Sequence, residues 1–383
     1  MYPTYKKKVK LLFISTDSMM YLFLMRHIRE FVKNGLKIDI ALSILPEFLN
    51  QNYITKISDY LKHSKVHKIH TSRSPLSLKN IKSIFHLKKI ISKNSYDMII
   101  TNEPSISAVS RLSRLLFFSK SPKLIYIAHG LHFFKGGPLL NYIFYLIELP
   151  LSLLTSRIVL INKLDYSFSK KFLFSKASYI PGIGFDHSSF SKPLSSKNPY
   201  SKYIQNSELV LLSVGELNTN KNQAIIIKSL SLLRDLNLKY FICGVGYKFN
   251  YLNDLVNYYK LNDSVIFLGQ RNDMINIYAY ADIFVHPSLR EGLGIAALEA
   301  MASGLPIITS NKHGLLDFSV SNINGFTCNP NDYVSFASSI RTLYNDKRLR
   351  LSFGSNNRTY SKSFDFSNSH AKLSKIINDV IYS

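Results

Sequence analysis

The sequence predicts an α/β protein made of two doubly wound parallel-sheet units, and three observations point there. Short, unbroken apolar runs alternate with longer segments of helical spacing, as buried parallel strands and their crossover helices do. The alternation stops at a stretch rich in Ser, Lys, Pro and Asn, residues 188–203, and then begins again. The length, 383 residues, suits two domains that each bury a core of their own.

In the first unit the apolar runs at 9–15, 37–42, 98–101, 123–128, 157–161 and 177–180 read as strands. The first follows Lys6-Lys7-Lys8 and superficially resembles a secretory signal. Asp17 interrupts it early and no small-residue cleavage site follows, so a strand is expected there. Residues 21–34 have the spacing of a helix closed by Gly35. Residues 77–91 place Leu78, Ile81, Ile84 and Ile91 at helical spacing, which predicts a sheet-covering helix with a basic polar face open to membrane contact. The most apolar stretch, 139–161, contains Glu148, Pro150 and Arg157 and falls short of a spanning helix. It reads as a buried or interface-leaning helix followed by a strand. In the second unit strands are expected at 209–214, 239–244, 265–268, 283–286 and 306–309.

The net charge of +24 is lopsided. Residues 1–200 hold 30 Lys and Arg against 10 Asp and Glu, whereas residues 201–383 hold 18 against 14. A basic half suits nucleic acid, an anionic membrane surface or an anionic acceptor. No recognisable nucleic-acid module accompanies it, so a nucleic-acid partner is not expected and an anionic membrane surface is. The two cysteines, Cys243 and Cys328, fall in stretches that read as buried, which fits reduced thiols in a cytoplasmic protein.

Ligands of doubly wound sheets sit at the carboxyl ends of the strands, so loops that follow strands carry most weight. Glu291 lies on a glycine-flanked turn after the strand ending His286-Pro287-Ser288, and Glu299 lies about two helical turns further on. Eight helical residues rise roughly 12 Å, about the length of a sugar diphosphate joined to its ribose. Between the two, Gly292-Leu293-Gly294-Ile295 leads into a helix whose first amides and dipole suit a phosphate. After the strand at 209–214 comes Gly215-Glu216-Leu217-Asn218-Thr219-Asn220-Lys221, where Gly215 lets backbone approach a ligand and Lys221 adds compact positive charge. Gly244, in Cys243-Gly244-Val245-Gly246, follows the next strand. Alone, that pattern suits a tight turn as well as a ligand loop. Arg271 stands in the following loop, Gly269-Gln270-Arg271-Asn272-Asp273, either as a ligand contact or as a surface charge.

In the first unit the loop Ala128-His129-Gly130-Leu131-His132-Phe133-Phe134-Lys135 follows a strand. Its histidines lack a nearby carboxylate or cysteine at ligand spacing, so no metal is expected. Asp17, in Ser15-Thr16-Asp17-Ser18, is a polar candidate in the loop after the first strand.

The series, with its flank Ala302-Ser303-Gly304-Leu305-Pro306, resembles the family-4 retaining glycosyltransferases of the GT-B type, and the likeness covers most of the chain. It implies two facing Rossmann-like domains with a cleft between them: an acceptor-side domain at 1–187, a linker at 188–203, a nucleotide-sugar domain at 204–364, and a helix at 365–383 packing back on the first. It further implies transfer of a sugar from a UDP-sugar to an acceptor hydroxyl. The expected acceptor is a lipid-linked glycan of bacterial surface polysaccharide, met at the inner face of the plasma membrane. By resemblance Glu291 binds the sugar hydroxyls, Glu299 the ribose, and Lys221 with amides near Gly294 the phosphates. Arg271 falls in the base-recognition region, and His129 faces the transferred sugar. Asp17, His132 and Lys135 fall on the acceptor side. Such enzymes generally need no metal or other cofactor, because lysine and helix amides neutralise the leaving diphosphate. Glu216 stands where the family usually has an arginine, so that phosphate clamp is not carried over. Two competing classes are a nucleotide-sugar epimerase of the same architecture and a non-catalytic basic membrane or nucleic-acid binder.

Overall fold

The computed structural model describes residues 9–16, 20–43, 64–72, 77–117, 121–133, 139–191, 200, 203–204 and 208–383. Contacts divide the chain into two compact units, Met1–Ile183 with Ser367–Ser383, and Gly184–Phe366. The stretch read as a linker begins inside a helical turn, His187–Phe190, and includes Tyr200, which packs on Phe241 of the second unit at 6.1 Å.

The first unit holds strands β1 Lys10–Ser15, β2 Lys37–Ser43, β3 Val66–Ile69, β4 Met98–Thr101, β5 Lys123–Ala128, β6 Arg157–Leu160 and β7 Ala177–Tyr179. They form one parallel sheet in the order β3-β2-β1-β4-β5-β6-β7. Alternate side chains of each strand face opposite layers. Leu12 and Ile14 of β1 join a core with Leu87, Ile106, Val109 and Leu173, contributed by the helices and connections that follow β3, β4 and β6. Phe13 turns the other way and meets Phe31 at 6.5 Å. Right-handed crossovers therefore lay the helices Leu78–Asn94, Pro104–Arg114, Tyr142–Ser152 and Lys163–Phe172 on one face. The helices Met20–Lys33, which Gly35 ends at φ +88°, and Phe366–Tyr382 lie on the other.

The second unit holds β8 Leu209–Val214, β9 Leu238–Cys243, β10 Val265–Gly269, β11 Ile283–His286, β12 Ile307–Ser310 and β13 Gly325–Cys328. Its order is β10-β9-β8-β11-β12-β13, again parallel throughout. The two strands that the sequence pattern does not reveal, β3 and β13, are both four-residue edge strands. Edges have one unpaired side, so His67 and Lys68 in β3 and Gly325 in β13 are tolerated where a central strand would need an apolar run. Cys243 and Cys328 are buried free thiols. Among the described residues, no helix is long and apolar enough to cross a membrane.

Glu148, one of the residues that argue against a spanning helix at 139–161, pairs inside the first unit. Arg111 is fully buried and donates through Nη1 to Glu148 Oε1 at 2.5 Å and through Nη2 to Oε2 at 3.1 Å. Its Nε reaches the Ser107 carbonyl at 3.1 Å, and its plane lies 5.0 Å from the Tyr126 ring. Removing one partner strands a buried charge, so Glu148→Ala should lose about 3–5 kcal/mol in denaturant unfolding. Pairing Glu148→Leu with Arg111→Met should recover most of that loss.

The C-terminal helix is tied to the first unit through a chain of neutral groups. His27 Nε2 donates to the Ile183 carbonyl at 2.7 Å, which leaves its Nδ1 to accept from His370 Nδ1 at 3.0 Å. Ser369 adds a bond to the Pro181 carbonyl at 2.9 Å, and Lys123 one to the Val380 carbonyl at 2.7 Å. Burial pushes the His27 imidazole down to about 3 from 6.5, and burial lowers His370 as well. The unfolded chain therefore binds protons below about pH 6.5 that the folded chain refuses. Stability is full above that pH and drains away as pH falls toward 3. Thermal midpoints measured from pH 7.5 to 4.5 should fall less steeply for His27→Gln than for the parent.

Candidate active site

Because all strands of the second sheet run parallel, the loops after β10, β9, β8 and β11 line up at one end in that order. Those loops carry Arg271, Gly244, Lys221 and Glu291. At roughly 4.8 Å per strand, the first and last stand about 14 Å apart across the sheet. Lys221 and Glu291, 70 residues apart in sequence, meet directly: Lys221 Nζ forms an ion pair with Glu291 Oε1.

Three donors converge on that oxygen. Besides Lys221, His286 Nε2 lies 2.9 Å away and Ser288 Oγ also 2.9 Å. Among the described residues no bond reaches Oε2. Burial alone would raise the Glu291 carboxyl, but the bonds from His286 and Lys221 hold it well below the usual carboxylate range. Burial keeps the His286 imidazole neutral, so its Nε2–H donates. The Glu291 carbonyl is held as well, by His313 Nδ1 at 2.6 Å and the Gly314 amide at 3.1 Å.

The loop bearing Lys221 is clamped onto the loop bearing Glu291. Asn220 donates from Nδ2 to the Arg290 carbonyl at 2.8 Å and accepts from the Leu289 amide at 2.8 Å. Asn222, at φ +57°, reaches the Pro287 and Pro330 carbonyls. Gly215 turns at φ +154°, and the Lys221 stem crosses it so closely that a Cβ there would sit 3.1 Å from Lys221 Cε. Gly244 abuts the Gly215 carbonyl, which a Cβ would approach to 1.9 Å. Glu216 is exposed and accepts from Asn218 Nδ2 at 3.0 Å.

The helix Ile295–Ala302 starts at Gly294, whose φ of +94° turns the chain from Gly292 and Leu293 into it. The Ala297 amide already donates to the Gly294 carbonyl at 3.0 Å, and the Ile295 and Ala296 amides before it open the helix with no preceding turn to bond. Glu299, on the same helix, accepts from Tyr278 Oη at 2.9 Å. Burial pushes its carboxyl up to about 7, and the tyrosine offsets only part of that. Arg271 is exposed and forks onto Asp273 at 2.9 and 3.0 Å, with its plane 5.6 Å from the Tyr200 ring. The geometry thus joins Lys221 to Glu291 directly, and gives Arg271 and Glu299 partners of their own.

In the first unit the loops after β1, β4 and β5 also gather at one end. Ser15 Oγ and the Thr16 amide bond Glu103, at 2.5 and 3.0 Å. His129 follows β5, and burial lowers its imidazole to about 4. Its Nε2, both side-chain polar atoms of Asn102 and the Thr16 hydroxyl are buried without a hydrogen-bond partner among the described residues. His132 packs on Phe144 at 5.2 Å, at the edge of the aromatic cluster of this face. Asp17 and Lys135 lie outside the described residues. The sequence pattern gives no sign of Asn102, Thr16, Tyr278 or His313. His286 and Ser288 were visible as a strand end, although their bonds to Glu291 were not. Among the described residues no cluster of three or more His, Cys, Asp or Glu side chains could hold a metal ion.

Two family models match: the group 1 glycosyl transferases over residues 197–360, and a glycosyl transferase 4-like model over 10–162. EpsD of Bacillus subtilis, itself assigned as a glycosyltransferase, is 30% identical over 294 residues, 75% of this chain and 77% of that one. An Escherichia coli enzyme named UDP-Gal:α-D-GlcNAc-diphosphoundecaprenol α-1,3-galactosyltransferase is 28% identical over 289 residues, 72% of this chain and 73% of its own. HepE of Anabaena, solved in complex with UDP and glucose, superposes with a TM-score of 0.77 at 18% identity, covering 97% of this chain and 100% of HepE. The family match favours transfer over epimerisation. With one model on each unit and a 30% identical relative across three quarters of both chains, the protein belongs to the GT-B glycosyltransferases of family 4, which move a sugar from a nucleotide-sugar donor.

Proposed function

We propose that the chain is a retaining transferase that moves a sugar from a UDP-sugar to a hydroxyl of a lipid-linked glycan at the cytosolic membrane surface, a step in surface polysaccharide assembly. The observation that carries the reading is the convergence of Lys221, Glu291 and the amides of the helix after Gly294 at one sheet end. In it Lys221 leaves its carboxylate partner for the diphosphate, and the helix amides complete the phosphate cradle. Glu291, held by His286 and Ser288, then accepts from the hydroxyls of the transferred sugar. Glu299 binds the ribose and Arg271 borders the base. The buried polar atoms of Thr16, Asn102 and His129 take hydroxyls in the first unit. The acceptor oxygen attacks on the face from which the diphosphate leaves, and the leaving oxygens take its proton, so no protein nucleophile is needed. UDP and undecaprenol diphosphate appear in the names of relatives, and that supports the donor and acceptor classes.

The test is transfer from a UDP-sugar to a diphosphoprenol-linked sugar, with the new linkage assigned by NMR. An inverted linkage, or isomerised sugar formed without acceptor, would overturn the reading. In that assay Lys221→Ala should lose roughly one to two decades of kcat/KM, the worth of one charge-assisted hydrogen bond of about 1.5–3 kcal/mol. Activity should survive a chelator, because lysine and amides carry the charge that a metal would otherwise offset.

The two glutamates should separate in calorimetry. Glu291→Ala keeps UDP affinity and loses most transfer, whereas Glu299→Ala weakens UDP and UDP-sugar alike. Burial pushes the Glu299 carboxyl up to about 7, and its ionised form accepts better from a ribose diol. UDP affinity should therefore fall as pH drops below about 7, with proton release on binding. Glu299→Gln should remove that part of the pH dependence, and an unchanged profile would place the ribose elsewhere.

A further inference from the structure

The helical layer over one face of the first sheet exposes apolar side chains in continuous ridges. Leu139, Leu140, Ile143 and Leu146 are 85%, 87%, 58% and 66% exposed, and their spacing sets them along one side of the helix Tyr142–Ser152 and the turn before it. Phe172 and Phe174 stand beside that helix, tied to it by the bond from the Phe174 amide to Ser152 Oγ at 3.0 Å. On the helix Leu78–Asn94 a second ridge of Leu78, Ile81 and Phe85 is exposed as well. Among the described residues of the opposite face the large exposed apolar side chains are few, such as Val32.

The charges around these ridges have one sign. The sequences of the four helices in the layer contain only two acidic residues, Glu148 and Asp165. Both are buried: Glu148 on Arg111, Asp165 on the Leu131 amide and Asn162. Apart from the buried Arg111, the charge on the surface of the layer is basic. Lys79, Lys82 and Lys89 run along the helix edge beside Leu78 and Phe85, and Lys170 and Lys171 adjoin Phe172. A large exposed apolar patch marks a partner surface, and an apolar ridge bordered by lysines matches the headgroup–acyl boundary of an anionic bilayer.

We propose that this helical face seats the protein on an anionic bilayer, with the Leu139–Leu146 ridge and Phe172 and Phe174 entering the interface while the flanking lysines engage lipid headgroups. The inference deepens the reading of a membrane-borne acceptor, and its test needs neither donor nor transfer. Co-sedimentation with vesicles of phosphatidylglycerol and phosphatidylcholine, and of phosphatidylcholine alone, measures it at 0.05 and 0.5 M salt (about the range over which exposed charges become screened). The parent should bind the anionic vesicles, more weakly at high salt but still measurably. Ile143→Asp with Leu146→Asp should lower binding at least about tenfold at either salt. Lys170→Glu with Lys171→Glu should lower it mainly at low salt, and Val32→Asp should leave it unchanged. UDP affinity should hold in all variants, which separates failure of this face from failure of the donor site. Parent-like binding by the Ile143/Leu146 variant, or no binding by the parent, overturns the proposal. So does a parent dimer that this variant dissociates, which would make a second copy the occupant.

Discussion

Parallel strand pairing is the constraint on which both units depend. A parallel sheet returns the chain through a crossover after every strand, so all the post-strand loops emerge at the same end. Strand order then decides which distant residues meet. Because β8 and β11 are neighbours, Lys221 and Glu291 become partners across 70 residues of sequence. Because β1 and β4 are neighbours, Thr16 meets Glu103 across 87. The glycines after the strands allow the loops to close up: a side chain at Gly244 would collide with the Gly215 carbonyl, and one at Gly314 with the Gly292 carbonyl at 2.0 Å.

Within that frame charge is placed sparingly. In the helical layer of the first unit, acids are buried against Arg111 or against amides, and lysines are left outside. The basic excess of the first 200 residues therefore shows on a surface that also exposes apolar ridges. An isolated lysine costs little on any surface, but acids withdrawn into the core leave a field of one sign.

The alternation of apolar runs made the central strands legible, since a strand buried on both faces has to be apolar throughout. Of the four edge strands, β7 and β10 were legible and two were not, because β3 mixes His67 and Lys68 into four residues and β13 opens on Gly325. Segment 286–306 was legible as a unit because its turn, helix start and both glutamates lie within one local stretch. What supports it was not. Ser288 and His286 hold Glu291, Tyr278 holds Glu299 from the preceding helix, and His313 holds the Glu291 carbonyl from 22 residues away. Such bonds depend on packing, which no spacing rule encodes. The same holds for Asn102 and Thr16, ordinary polar residues until the sheet brings them together beside His129.

The two glutamates show how far packing can divide identical side chains. They lie eight residues apart on one turn and helix, and both are mostly withdrawn from water. Glu291 receives a lysine, an imidazole N–H and a hydroxyl on one oxygen, enough to keep it charged against the cost of burial. Glu299 receives a single tyrosine hydroxyl, too little to offset its burial, and so its carboxyl rises to about 7. One carboxylate is thus fixed as an acceptor at every ordinary pH, and the other is poised to change with whatever is bound against it. A ligand bringing a cation's worth of donors to Glu299 would find the larger gain there, because that is the carboxyl whose charge the protein leaves least supported. A diol offers two donors at the spacing of one carboxylate, whereas a lone hydroxyl offers one. That difference supports the proposed role of Glu299 as the anchor for a ribose, and of Glu291, already saturated on one oxygen, as a group that orients rather than holds.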